Sequence, residues 1–323
     1  MGVSARREPA ATGIVTLNFS IGRTAKLVRG MTPERGRAGY GFVAPALFII
    51  LVFFFLPLTG GFLLGFTDFD IYALGDLAYL RFIGIDNYTR LARDPLFWKA
   101  LGNTMMFVVS AGPLTVLPAL GLALLLHARL TRFKGFFRTA LFLPVVTTLV
   151  AVAVVWRYLY HPQYGPMAAV LGVFGVEPID WLGDPHWALP AIILMAVWKN
   201  FGYSMVVFLA GLHAIPGQLY EAARIDGANA WQQFRHVTLP LLAPTTLFVA
   251  VLTLVGYLQL FAEPYVMTQG GPSQSTLSVV LLMYEEGFRW WNMGYAAAVA
   301  FLLFGIIVVA GFVLRRVQRR WLP

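Results

Sequence analysis

The chain has 323 residues, 59% of them hydrophobic and 12% charged, and a mean hydropathy of +0.71. Soluble domains carry roughly 25% charged residues, so the composition excludes an ordinary soluble protein and indicates an integral membrane one. Cysteine is absent, which rules out disulfides, thiolate metal sites and a cysteine nucleophile while leaving the compartment open.

Residues 1–39 are basic and rich in Gly, Ala, Ser and Thr, with no apolar run long enough for a signal-peptide core. Met1–Arg37 reads as a flexible, solvated tail. Six apolar stretches follow, each long enough to cross a bilayer at about 20 residues: Val43–Phe66, Leu101–Leu126, Phe136–Leu159, Ala188–Leu212, Leu241–Phe261 and Tyr295–Leu314. An unpaired backbone amide in hydrocarbon costs several kcal/mol, so all six are expected to be helices. The expected fold is an all-α, six-span membrane domain over residues 40–317, closed by a short tail at 318–323. Thr276–Tyr284 is also apolar, but about nine residues of helix rise only about 14 Å. It is expected as a partly buried element outside the spans.

Lys and Arg orient these spans. Seventeen of the 24 fall on the side that holds both termini, six fall on the other side, and Lys199 lies within a span. The excess places both termini in the cytoplasm, and the short loop with Arg129, Arg132, Lys134 and Arg138 alone gives the same answer. The net charge of +9 is therefore topological and does not call for nucleic acid.

Within the spans, Pro113, Pro118 and Pro144 are candidates to kink helices, around a cavity or through ordinary packing. Lys199, midway along the fourth span, would cost roughly 2.5–3.5 kcal/mol if it faced lipid. Either it lines an aqueous path with Asn200, Tyr203 and Ser204, offering donors and an aromatic edge to a hydroxylated solute, or it pairs with a neighbouring helix as a structural cation. Gln259 and Glu263 are four residues apart and would share a face of the fifth span. The candidate substrate path is thus Lys199, Asn200, Tyr203, Gln259 and Glu263. Trp156, Tyr158, Tyr160, Trp181, Trp187, Trp290 and Trp291 gather at the outer ends, where an interfacial belt is a commoner role than sugar stacking.

Several chemistries find no support. No Gly-x-x-x-x-Gly-Lys-Ser/Thr phosphate cradle occurs, and none of the five histidines has metal-ligand spacing to another. There is no Gly-x-Ser-x-Gly elbow. Asp68 and Asp70 form a weak cation motif, since calcium takes six or more oxygens. Asn87-Tyr-Thr89 matches a glycosylation sequon, which matters only in a eukaryotic source. The expectation is a membrane protein without enzyme activity, metal or cofactor of its own.

The loop at 218–240 is the most polar segment between spans. Gln218–Ile225 favours helix, and Pro216-Gly217 stands where a helix would start. Asp226-Gly227 should break it, because Gly takes positive φ freely. Ala228–Arg235 can resume helix, and Pro240 suits the first turn of the fifth span. Glu221-Ala-Ala, three residues, Gly227, nine residues and Val237-Thr-Leu-Pro240 together resemble the cytoplasmic motif of permease subunits in binding-protein-dependent ABC importers. Leu209-Ala-Gly-Leu-His-Ala-Ile-Pro216, Asp226-Gly-Ala228 and Met267-Thr-Gln-Gly-Gly-Pro272 fit the carbohydrate-uptake (maltose and glycerol-phosphate) branch. The resemblance spans Tyr40 to Arg316, with Val237 where Ile is more usual and His213 where Gln is frequent.

That resemblance implies a coupling helix docked in a cleft of a separate ATPase. Glu221 would be its main polar contact, Ala222 and Ala223 would allow close approach, and Asp226-Gly227 would form the turn. An amphipathic helix lying on the headgroups is the plainer reading of the same segment. It further implies a second homologous permease, an ATPase dimer carrying ATP and Mg, an extracytoplasmic solute-binding protein met by Gln269, Gly270, Gly271 and Pro272, and residence in the inner membrane of a prokaryote. The cargo would be a sugar, oligosaccharide or polyol derivative. The rival is a secondary transporter driven by an ion gradient, which would want inverted repeats and buried carboxylates. No repeat is evident, and Glu263 is the sole acidic candidate in or near a span.

Overall fold

A computed structural model describes residues 33–76, 80–128 and 133–319. Most of the expected N-terminal tail, residues 1–32, and the last four residues lie outside that set. Helix begins at Pro33, inside the segment read as tail, because Pro is pre-organised for a first helical turn. At the other end helix continues to Arg319, two residues into the expected C-terminal tail.

The chain forms two compact units, Met1–Thr59 and Gly60–Pro323. In the first, α1 (Pro33–Ile50) leads through a π turn, Leu51–Phe55, into the start of α2 (Leu56–Leu64). The apolar helix Phe42–Leu64 is long enough to cross a membrane. The Thr59 hydroxyl donates to the Phe55 carbonyl at 2.8 Å, so this polar group needs no outside partner.

The second unit continues with α3 (Ile71–Gly75), α4 (Asp86–Arg93), α5 (Pro95–His127), the pair α6 (Lys134–Val146) and α7 (Leu149–Leu159), α8 (Pro166–Val173) and α9 (Ala188–His213). After these come α10 (Gly217–Ile225), α11 (Ala230–Gln233), α12 (Leu239–Leu258), α13 (Ala262–Met267), α14 (Val279–Tyr284) and α15 (Met293–Arg319). Among the described residues, five helices are long and apolar enough to span, and six if α6 and α7 count as one.

Helix α5 is the spine. Asp94 caps it, accepting from the Leu96 amide at 2.8 Å, with Pro95 in the first turn. Its length touches three apolar clusters in turn. Phe97 and Ala100 meet Leu277–Leu282 and Tyr295–Leu303. Phe107, Val108 and Ala111 meet α7, α9 and the end of α12. Ala119, Ala123 and Leu126 meet Met205–Leu212 and Leu242. Ala111, Thr115, Ala119 and Ala123 recur every four residues and are fully buried. A stripe of small residues lets helix backbones approach closely in lipid, where packing replaces the hydrophobic effect. Pro113 and Pro118 do not interrupt α5.

The third span departs from expectation. It was expected as one helix with Pro144 a candidate to kink it, and α6 and α7 meet at 98° across Thr147-Thr148. Thr147 and Thr148 are both extended (ψ 149 and 140). Pro144 lies within α6, three residues before the break. Gly202 on α9 explains how close the two spans run: a Cβ there would collide with the Leu141 carbonyl.

The fifth span also ends earlier than the apolar run suggests. Gln259 leaves helical geometry (φ −95, ψ 24), and Glu263 belongs to the separate helix α13. The two therefore do not share a helical face. Gln259 is exposed and Glu263 buried.

Asp68 and Asp70 have structural partners. Asp68 pairs with Arg81 at 3.1 Å, and Asp70 caps α3 by accepting from the Tyr72 and Ala73 amides. Asn87 of the sequon is buried and donates to the Gly65 and Thr67 carbonyls at 3.0 and 2.8 Å.

Candidate functional site

Three groups of residues carry the candidate functions, and α5 and α9 connect them. The first is the motif loop. α10 starts at Gly217 and ends in a Schellman arrangement: Ala228 N–H donates to Ala223 O at 2.9 Å and Gly227 N–H to Arg224 O at 3.1 Å. Gly227 sits at φ +79, where a side chain would be strained. Asn229 and Gln232 then form a reciprocal capping box that restarts the helix as α11. From Ala230 the helix runs through a π turn, Phe234–Thr238, into α12, so the loop's second half belongs to the span Ala230–Leu258.

The first half is tied in from both sides. Ala214 continues from α9 with amide bonds to Ala210 and Gly211, and the Tyr220 and Thr238 hydroxyls meet at 3.0 Å. Glu221, Ala222 and Asp226 are exposed, Ala223 is half-buried, and no residue of α10 is buried. Ile225 is 87% exposed and Trp231 65%. Ile225 at the end of α10 and Trp231 on α11 thus leave apolar surface open to headgroups or a partner. His213 ends α9 with Nδ1 2.6 Å from the Leu209 carbonyl and its ring edge-on to His127, at 5.0 Å between centroids. The ends of α5 and α9 are thus joined four residues before α10.

The second group is a buried polar cluster. Lys199 donates to the Pro144 carbonyl at 3.2 Å and the Thr147 carbonyl at 2.9 Å. These acceptors lie at the end of α6, where helix geometry leaves carbonyls without partners. The Thr147 hydroxyl donates to Pro144 O at 2.6 Å as well. Lys199 therefore acts as a strut under the broken span, the structural alternative left open by the sequence. Its charge is also attracted by Glu263, the buried carboxylate on α13. Asn200 donates to Ala196 O at 2.8 Å and reaches the Tyr257 hydroxyl, which meets Thr115 Oγ1 at 2.6 Å. Tyr203 is exposed. Of the five path residues, Lys199, Asn200 and Glu263 are brought into one neighbourhood, and Gln259 is not. Thr115 and Tyr257 escaped the sequence reading. A buried Tyr hydroxyl needs a partner, and only the fold supplies it.

The third group is the segment Gln269–Thr276. Gln269, Ser273 and Gln274 hold positive φ without being glycine, a conformation that persists only where neighbours over-determine it. Lys99 Nζ donates to Ser273 O at 2.6 Å, and Asn103 Nδ2 donates to the Gln274 and Leu277 carbonyls, both at 2.9 Å. Lys99 and Asn103 are one turn apart on α5. Thr276 donates to Gly271 O at 2.7 Å. Gly270 is buried, Gly271 and Pro272 are half-buried, and Gln269 is exposed.

Residues 38–323 match the family model described as the binding-protein-dependent transport system inner membrane component. The chain belongs to this family. Among curated relatives, the lactose transport system permease protein LacF of Rhizobium radiobacter is 38% identical over 279 residues, covering 85% of this chain and 91% of that protein. The trehalose/maltose transport system permease protein MalF of Thermococcus litoralis is 33% identical over 292 residues, covering 88% and 95%. A chain from the crystal structure of a bacterial ABC transporter importing the acidic polysaccharide alginate has the same fold. Its TM-score is 0.73 at 23% identity, over 92% of this chain and 99% of that one. As an inner membrane component of such a transport system, the chain is a multi-pass transport component, and its motif loop joins the fourth and fifth spans.

Proposed function

We propose that this chain is the permease subunit of an ATP-driven importer that brings a sugar, oligosaccharide or polyol derivative into the cytoplasm by alternating access. The observation that carries the proposal is α10: a capped, rigidly held helix with exposed apolar residues, in a family of transport components. Relatives named for lactose, arabinooligosaccharide and trehalose/maltose transport support the carbohydrate class. ATP and Mg belong to a partner ATPase dimer, since this sequence has no phosphate cradle of its own. α10 docks on that ATPase through Glu221, Ala222, Ala223, Asp226 and Gly227. A second homologous permease completes the pathway, and the Lys/Arg excess supports a cytoplasmic side for both termini.

The test is uptake in inside-out and right-side-out vesicles, with ATP and ion gradients varied separately. Uptake is expected to follow ATP and to survive collapse of the ion gradients. Uptake that follows a gradient without ATP would replace this reading with a secondary transporter.

The Gln269–Pro272 segment is the proposed contact for the solute-binding protein. Trimming Gln269–Ser275 is expected to lower receptor-stimulated ATPase activity severalfold more than basal activity, measured in proteoliposomes. Equal loss of both would count against a receptor contact.

A further inference from the structure

Between α12 and α15, where both reach the motif-loop side, lies a groove of about 650 Å³. Residues of α12 from Leu239 to Ala250 line its length, Leu314 and Val317 in one turn of α15 border it, and Trp231 and Arg235 stand at its mouth. From Arg235 to Ala250 the helix climbs about 22 Å at about 1.5 Å per residue, so the groove reaches well into the hydrocarbon. No carboxylate lines it. Arg235 makes no ion pair among the described residues, and Arg315 and Arg316 are exposed between the two lining residues of α15.

An apolar trough with a tryptophan and a cation at the headgroup level has the chemistry of one phospholipid. Arginine presents a fork matched to phosphate oxygens. A zwitterionic headgroup would leave most of this positive charge uncompensated, and an anionic one answers it. We infer that the groove holds an anionic phospholipid of the cytoplasmic leaflet, its phosphate on Arg235 and an acyl chain along Leu247, Ala250 and Leu314. The lipid thereby rests against the base of the motif loop, because Trp231 and Arg235 belong to the same continuous helix as α12. The inference uses the membrane orientation and is independent of the cargo.

The test is native mass spectrometry of the chain, purified in mild detergent with the partners it retains, stripped of lipid and titrated with phosphatidylglycerol or phosphatidylethanolamine. The wild type is expected to retain phosphatidylglycerol preferentially. Arg235→Gln should lower that retention about fivefold, the factor one arginine is worth at a headgroup. Ala250→Phe, which fills the trough, should lower it too, and Arg93→Gln on the opposite side should not. Equal retention of both lipids, retention unaffected by Ala250→Phe, or exclusion of lipid by a partner subunit's helix would each overturn the inference. Capture of the ATPase is read separately in the same spectra, so the lipid result and the importer reading fail independently.

Discussion

Replacing Lys199 by methionine is expected to cut uptake at least about tenfold while the chain still inserts in the membrane. Methionine keeps most of the side-chain volume, so lost packing does not account for the effect. What disappears is the donor to the Pro144 and Thr147 carbonyls at the 98° break. The Pro144 carbonyl keeps the Thr147 hydroxyl as a donor, so the loss falls on the part-buried Thr147 carbonyl. An acceptor left without a partner costs about 1–3 kcal/mol, and about 1.4 kcal/mol is already a factor of ten. Burial already disfavours the Glu263 charge, and losing the Lys199 cation disfavours it further. Lys199→Met with Glu263→Gln is therefore expected to recover part of the loss, because the amide removes the unmatched carboxylate. Uptake per inserted chain, with surface labelling to count chains, reads the effect. Normal uptake by Lys199→Met would show that the break holds itself, and absence of any recovery in the double variant would separate Glu263 from Lys199.

Replacing Glu221 by lysine is expected to abolish uptake by a different route. Glu221 is exposed on a helix with no buried residue, and its replacement leaves the Schellman end, the capping box and the Tyr220–Thr238 bond in place. The reversal acts across the proposed interface, where a wrongly placed like charge costs several kcal/mol, enough to bring uptake below about a hundredth. In a mild-detergent pull-down the variant should lose the ATPase and keep the second permease. An ATPase retained at wild-type level with uptake intact would remove Glu221 from the coupling contact. The two variants are distinguishable, since Lys199→Met should keep the ATPase bound.

Much of this was legible in the chain. The apolar runs located the spans, and Asp226-Gly227 located the end of α10, because both signals are local. Pro144 marked the third span as a candidate for a kink, but a full break at Thr147-Thr148 was not legible. Threonine is accommodated in spanning helices, and the donor that makes the break tolerable comes from 52 residues further on. The same limit applies to Gln259 and Glu263. Spacing by four gives a shared face only while the helix continues, and the apolar run through Phe261 concealed its end at Leu258. The helical start at Pro33 was hidden by composition, since the residues there are as polar as those before them. Nothing local marks Lys99 and Asn103, and only the fold carries Ser273 and Gln274 back to them.

The anchorage of the Gln269–Thr276 segment on α5 has a mechanical consequence. α5 has 33 residues, about 50 Å of helix at about 1.5 Å per residue. One end grips that segment through Lys99 and Asn103, and the other meets α9 through His127 and His213 just before α10 begins. A stiff rod gripped at both ends transmits axial displacement almost undiminished. An axial displacement at the Gln269–Thr276 end therefore arrives at the α10 end nearly undiminished, without any chain of intermediate rearrangements.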